Sequence, residues 1–281
     1  HTHFAGIGAR TAWWINKLYG ISYSFTGHAN DMFCSTDEPL LLQDLVENAS
    51  FVVTVSDFSR QWLLSQYPDY SAKIYKVYNG MKCDLRPRNS IDASSSKIIS
   101  VGRLIEKKGF EYLIEACSLL RDFGYIFKCQ IIGNGPLEDH LRHQVINLGL
   151  DDFVELTGSL PWEEVNTRLV DCTVFVLACV NEDDGGMDNL PTVILEAMNA
   201  SLPVVSTGLA AIPEMVEDGR TGILVDECDA NALASVLAYI LKFPNSGKDM
   251  GRAGKELAVQ KFSVEKTVES LKSLIERSMN N

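Results

Sequence analysis

Two segments of this chain group residues that could hold a phosphorylated ligand. In Asp188-Asn-Leu-Pro-Thr-Val-Ile-Leu-Glu196, proline suits a first helical turn and asparagine suits a cap, so the sequence predicts a helix opening at Pro191 with Asn189 capping it. Free N–H groups at such a start attract an anion. Glu196 falls one to two turns further in, where a carboxylate can accept two hydrogen bonds from vicinal hydroxyls such as those of a ribose. In Val101-Gly-Arg-Leu-Ile-Glu-Lys-Lys-Gly109, Arg103 and Lys108 flank a loop bounded by Gly102 and Gly109. Their heads could converge on one diphosphate, the guanidinium as a planar fork and the ammonium as a point charge. Each segment alone also fits a plainer description, a capped helix start with a solvated glutamate and a solvated basic turn.

Other segments carry weaker signals. Ile132-Gly-Asn-Gly-Pro-Leu137 begins like a dinucleotide fingerprint, but Glu138 stands where the third glycine belongs. Gly133 and Gly135 therefore predict a tight strand-to-helix turn that also lets a base or ribose approach the backbone. Gly6-Ile-Gly8 is weaker, with Thr11 in the third position and no strand expected before it. His28, in Phe25-Thr-Gly-His-Ala-Asn-Asp31, follows a strand end and would face a cleft between domains, or else serve as a core or capping histidine. His140 and His143 share a helix face without H-E-x-x-H and are given no role. The acidic run Glu182 to Asp188 reads as a solvated loop, no D-x-D occurs, and no metal is expected. Neither a P-loop nor G-x-S-x-G is present.

The elements that must position these groups follow from periodicity. Short apolar runs at 98–101, 129–132, 154–157, 174–177, 203–206 and 223–225 alternate with segments of helical period, such as Phe110, Leu113, Ile114, Cys117 and Leu120. Six strands linked by helices predict a parallel, doubly wound, Rossmann-like sheet. Ligands in such sheets sit outside the carboxyl ends of the strands, which points to the loops at 102–109, 133–137, 178–191 and 207–214. A related but incomplete rhythm runs through residues 1–85, with strands expected at 22–25, 51–55 and 74–77. The polar, serine-rich stretch 86–97 reads as a linker. From Ser263 a capped terminal helix is expected, with Val264, Val268, Leu271, Leu274 and Ile275 on one side.

Composition narrows the partners. The 281 residues, 46% hydrophobic, suffice for one large or two medium domains. With 25 basic against 37 acidic residues the net charge is −12, which argues against nucleic acid as a partner. Seven cysteines without C-x-x-C spacing read as reduced and mostly buried. No long apolar run or signal-like start is present, so the expected compartment is cytoplasmic, out to the inner face of the membrane.

Taken together and in order, these segments resemble the retaining glycosyltransferases of the GT-B, two-Rossmann-domain type, family 4, and within it the colanic acid or exopolysaccharide-like members. The resemblance rests on Thr26 to Asp31, Val55-Ser56, Asn79-Gly80, Val101 to Gly109, Gly133 to Leu137, Asp188 to Glu196, Pro203 to Thr207 and Ile212-Pro-Glu214. It implies a partial amino-terminal, acceptor-side domain with linker at 1–93, a donor domain at 94–262, and a terminal helix at 263–281 packing back toward the first domain. It implies hexosyl transfer from a nucleoside-diphosphate sugar to a glycan or lipid-linked saccharide, with retention and without a cofactor or metal. Arg103 and Lys108 would stabilise the leaving diphosphate, helped by the amides of Leu190 and Thr192. Glu196 matches the second acid of the family's E-x7-E motif, which holds the ribose. Asp188 matches the first, usually Glu, which contacts the transferred sugar, and His28 matches a histidine lining that sugar from the opposite domain. The loop 133–137 would lie near base and ribose. The leaving phosphate itself would help deprotonate the acceptor, so that rate comes from positioning and charge stabilisation.

Three departures stand out. Asp188 shortens the usual glutamate by one methylene, Leu209-Ala-Ala211 replaces a glycine, and the chain opens where relatives carry further strands. His1 therefore reads as a fragment boundary, the missing part holding most of the acceptor site and any peripheral membrane contact. A non-catalytic nucleotide-sugar-binding fragment and a GT-B-type nucleotide-sugar 2-epimerase are the alternative readings.

Overall fold

The structure, a computed structural model, describes residues 1–33, 42–82, 96–182 and 185–280. Its amino-terminal part is a four-stranded parallel sheet, with β1 (Thr2–His3), β2 (Ser24–Gly27), β3 (Phe51–Thr54) and β4 (Ile74–Lys76) in chain order. Helices α1 (Ile7–Tyr19), α2 (Asn30–Phe33), α3 (Leu42–Asn48) and α4 (Asp57–Gln66) make the connections. Phe51-Val-Val-Thr54 is buried at every position because helices cover both faces of a parallel strand.

A strand does precede Gly6, contrary to the expectation from sequence. Thr2 and His3 pair with Phe25 and Thr26. Two residues are too few for any period to register, so only the pairing with β2 reveals this strand. Ile7, Trp14, Leu18, Tyr19 and Ile21 leave apolar surface exposed along and just past α1.

The second part is a six-stranded parallel sheet. It comprises β5 (Lys97–Val101), β6 (Lys128–Ile132), β7 (Val154–Gly158), β8 (Val174–Leu177), β9 (Val204–Thr207) and β10 (Gly222–Val225). Their order is β10-β9-β8-β5-β6-β7, a doubly wound arrangement whose direction reverses between β5 and β8. On one face α5 (Phe110–Asp122), α6 (Glu138–Asn147) and α10 (Ala230–Lys242) bury Leu113, Ile114, Leu141 and Leu237. On the other, α7 (Trp162–Val170), α8 (Thr192–Asn199), α9 (Ile212–Met215) and α11 (Pro244–Lys261) bury Leu169, Ile194, Met198 and Leu257. The six strands fall within a residue or two of the apolar runs, since a strand buried on both faces reads as a continuous apolar stretch.

Helix α12 (Val264–Met279) is capped by Ser263, whose side chain accepts from Lys266 N. It returns to the first sheet, where Leu271, Leu274 and Ile275 pack on Phe51, Val53 and Val77. Val268, placed on the apolar side from sequence, is 59% exposed, because that turn precedes the contact with the sheet. The return is stitched by Met81 N to Phe262 O at 2.9 Å and Val264 N to Met81 O at 3.1 Å. Gly80 is required at this crossing: a Cβ there would lie 2.6 Å from Val264 Cα.

Residues 86–95 of the expected linker lie outside the described residues, and Lys97 already belongs to β5. Cys34, Cys83, Asp183 and Asp184 also lie outside them. Of the other cysteines, Cys117, Cys129, Cys172 and Cys179 are buried and Cys228 is exposed, and none of these five is in a disulfide among the described residues.

Candidate functional site

The carboxyl ends of β5, β6 and β8 open onto three loops that lock together through glycine. A Cβ on Gly109 (φ +62°) would lie 1.7 Å from Ala178 O, and one on Gly133 (φ +148°) would lie 1.8 Å from Gly102 O. One on Gly135 would lie 2.4 Å from Leu104 O. Leu104 N donates to Asn134 O at 2.9 Å, and Leu137 N donates to Leu104 O at 3.1 Å. Gly133 and Gly135 thus make room for the neighbouring loop, in the tight strand-to-helix turn expected from sequence.

The interlocked loops hold the candidate residues. Lys108 Nζ donates to Asp188 Oδ2 in an ion pair whose side chains keep only 13% and 15% of their exposure. Removing one partner of a pair so enclosed typically costs about 3–5 kcal/mol, because the other charge is left uncompensated. Cys179 Sγ lies 3.6 Å from the same carboxylate oxygen. Burial pushes its thiol pKa well up, Asp188 adds to the rise and Lys108 opposes it, so the sulfur stays protonated and donates. Lys108 therefore meets Asp188 and does not meet Arg103. Arg103 is exposed, and its side chain has no hydrogen bond or ion pair among the described residues.

Helix α8 begins at Thr192, with Pro191 in the cap position and no side-chain cap bond. Asn189 is not the cap, contrary to the sequence reading. Its buried amide joins the two sheets instead: Oδ1 accepts from Ser56 Oγ at 2.9 Å, and Nδ2 donates to Ser59 Oγ at 2.6 Å and to His28 O at 2.6 Å. Ser59 Oγ and Ser56 Oγ, 2.9 Å apart, close a ring of hydrogen bonds. Each buried polar atom in it is satisfied, as such a network requires. The amides of Leu190 and Thr192 flank this junction, where α8 keeps the unpaired N–H groups of any helix start. The side chain of Glu196, in the second turn, has no hydrogen bond or ion pair among the described residues. Burial raises its carboxyl pKa. A half-buried carboxylate without a partner is chemically ready for hydroxyl donors.

His28 approaches from the first sheet, just past β2. The Asp31 carboxylate fixes its backbone, accepting from Ala5 N at 2.8 Å, Ala29 N at 2.7 Å and His28 N at 3.1 Å. Its ring lies against Phe4 with centroids 4.3 Å apart. Burial lowers the imidazole pKa, Asp31 opposes, and His3 adds to the lowering.

A second junction involves residues to which sequence gave no role. Glu214 of α9 accepts from Asp57 N at 2.9 Å, Phe58 N at 2.8 Å and Tyr78 Oη at 2.8 Å, placing a carboxylate on the amino end of α4. Lys261 Nζ donates to Glu214 O at 2.7 Å. Ser56, which caps α4 through Ser59 N, was findable from the spacing of serines; its contact with Asn189 was not. Among the described residues no group of three or more His, Cys, Asp or Glu could hold a metal, and no helix is long and apolar enough to cross a membrane.

Comparison with known proteins gives the family of the chain. The family described as "Glycosyl transferases group 1" matches residues 82–257, well over half of the chain. The Salmonella typhimurium protein WcaL, named as a colanic acid biosynthesis glycosyltransferase, is 39% identical over 181 residues, 64% of this chain and 45% of its own. The amylovoran biosynthesis glycosyltransferase AmsK of Erwinia amylovora is 42% identical over 141 residues, 50% of this chain and 35% of its own. The aligned part thus spans less than half the length of these relatives. The crystal structure of Anabaena HepE in complex with UDP superposes with a TM-score of 0.80 at 18% identity, covering 96% of this chain and 76% of that one.

Proposed function

The chain belongs to the group 1 glycosyl transferases, and from that membership we propose that it forms the donor side of an enzyme transferring a hexosyl group from a nucleoside-diphosphate sugar. The acceptor is a hydroxyl of a glycan or lipid-linked saccharide, in exopolysaccharide or glycolipid biosynthesis. The observation that carries the reading is the cluster at the strand ends: the Lys108–Asp188 pair, the amino end of α8 and the unpartnered Glu196 carboxylate. The names of WcaL and AmsK support the polysaccharide context, and the UDP held by HepE supports a nucleotide donor.

In this reading Arg103, free of protein partners, forks onto the diphosphate. Lys108 turns from Asp188 to the same group, and the amides of Leu190 and Thr192 add their dipoles. These charges take up the negative charge that develops as the bond from the anomeric carbon to the diphosphate oxygen breaks, without a metal ion. Asp188, released, accepts from a sugar hydroxyl, Glu196 holds the ribose, and His28 lines the sugar from the first sheet. The acceptor oxygen bonds to the anomeric carbon on the face the diphosphate leaves, and its proton passes to a diphosphate oxygen, so configuration is retained. His28, Arg103, Lys108 and Asp188 are the catalytic group; Gly102, Gly133 and Gly135 shape the loops behind it.

Calorimetric titration of UDP and of GDP without added metal tests this. Binding of one nucleotide, weakened at least tenfold (about 1.4 kcal/mol) in both Arg103→Ala and Glu196→Ala, is expected. Binding unaffected by either substitution sinks the site assignment.

A further inference from the structure

His28 is not alone at the cleft. His3, from β1, points at it across the gap between β1 and β2, with Nδ1 of His3 3.2 Å from Nε2 of His28. The two rings lie with centroids 5.4 Å apart and planes tilted by 34°. The backbone between β1 and α1 is turned to allow this. Phe4 takes a φ of +67°, a left-handed conformation rare outside glycine, and its ring closes over His28. Ala5 N is then tied to the same Asp31 carboxylate that holds the backbone of His28 and Ala29. Local strain accepted at a cleft and retained by several bonds is what a positioned side chain requires.

Two neutral imidazoles facing one another need one proton between them. The Nε2–H form, favoured by a free histidine side chain, completes the bond when present on both rings: His28 Nε2–H donates to His3 Nδ1. The second nitrogen of a histidine is set by the partner of the first. Nδ1 of His28, which has no partner among the described residues, is then a bare acceptor. The titratable groups bearing on His28 are Asp31 from α2 and His3 from β1. His1 stands behind His3 with ring centroids 5.5 Å apart, its own nitrogens engaged by Ser24 Oγ and Thr26 Oγ1.

We propose that His3 is a positioning residue for His28: it holds Nε2–H, fixes the ring as a single neutral tautomer, and leaves Nδ1 to accept a hydrogen bond from a hydroxyl of the transferred sugar. The last step rests on the donor-site reading above; the coupling of the rings does not. Burial and His3 both press His28 toward the neutral form, against Asp31. Protonation would turn Nδ1 from acceptor to donor and place a positive charge beside an anomeric centre that itself becomes positive.

Nitrogen-15 spectra of the histidine rings test the coupling without any assay of transfer. In the unsubstituted chain His28 is expected as one Nε2–H tautomer that protonates below the ordinary histidine value of about 6.5. In His3→Phe, which keeps a ring in place, His28 is expected to show mixed tautomers and a raised midpoint, since His3 no longer adds to the lowering by burial. His3→Asn can place a side-chain oxygen near the former Nδ1 and is expected to restore the single tautomer. In transfer assays His3→Phe should lower kcat roughly tenfold with little change in KM, and move the acidic limb of the pH profile up with the His28 midpoint. A tautomer mixture in the unsubstituted chain, or a His28 midpoint unmoved in His3→Phe, overturns the proposal. A locked tautomer in a protein that binds neither UDP nor GDP overturns the donor-site reading and the role given to Nδ1, while the ring coupling stands.

Discussion

Glu214→Gln should loosen the junction between the two sheets more than any exposed-surface change could. Three donors converge on the Glu214 carboxylate, at 2.9, 2.8 and 2.8 Å, two of them at the amino end of α4. Glutamine keeps one acceptor oxygen, which at the Oε2 position still serves Asp57 N and Tyr78 Oη. The amide NH2 must then face Phe58 N–H, where neither group can accept. One lost hydrogen bond to a charged group is worth about 1.5–3 kcal/mol, and the lost charge at the helix start a further 0.3–1 kcal/mol or so. Partial solvent access lowers the sum, so we expect about 2–3 kcal/mol. Urea denaturation followed by tryptophan fluorescence reports on both parts, since Trp13, Trp14 and Trp62 lie in the first and Trp162 in the second. A double-mutant cycle with Tyr78→Phe should show coupling of about 1 kcal/mol, because Glu214→Gln leaves the Tyr78 hydroxyl bonded to a neutral oxygen in place of a carboxylate. A Glu214→Gln protein within 0.5 kcal/mol of the parent, with no coupling to Tyr78, would refute the assignment of this carboxylate as the clamp.

Three further outcomes follow from the site. Gly133→Ala should cost about 3 kcal/mol or more, because its Cβ would lie 1.8 Å from Gly102 O and the backbone has a φ of +148°; thermal melting decides it. Glu196→Gln should stabilise the protein at pH 7, since burial raises the carboxyl pKa and the folded state carries that charge at a cost. The folded protein binds the proton more tightly than the unfolded chain, so stability contributed by this group falls as pH rises from the ordinary carboxylate range through the raised value. The gain in Glu196→Gln should therefore vanish in melts below about pH 4, while nucleotide affinity drops. Asn189→Leu should cost about 3–5 kcal/mol by leaving Ser56, Ser59 and the His28 carbonyl without partners; wild-type stability in chemical denaturation would show that the ring of hydrogen bonds is not load-sharing.

The sequence by itself determined the second sheet. Strands buried on both faces and helices with one apolar face leave continuous and three-to-four-residue patterns, so all six strands, their parallel arrangement and the strand-end loops could be read directly. It determined the capped return helix at Ser263 for the same local reason. It marked Arg103, Lys108, Asp188 and Glu196 as groups with chemistry, because types and spacing are properties of the chain. Only the tertiary structure decided what these groups touch. Lys108 and Asp188 are 80 residues apart and form the enclosed pair, while Arg103, nearer in sequence to Lys108, stays free. Asn189, locally a helix cap, is claimed by Ser56 and Ser59 from more than 100 residues away, since a buried amide takes the partners that burial brings. The glycines of 133–135 are fixed by a neighbouring backbone, and β1 exists because β2 pairs with it. The facing of His3 and His28 likewise depends on that pairing, which no period in so short a segment could announce.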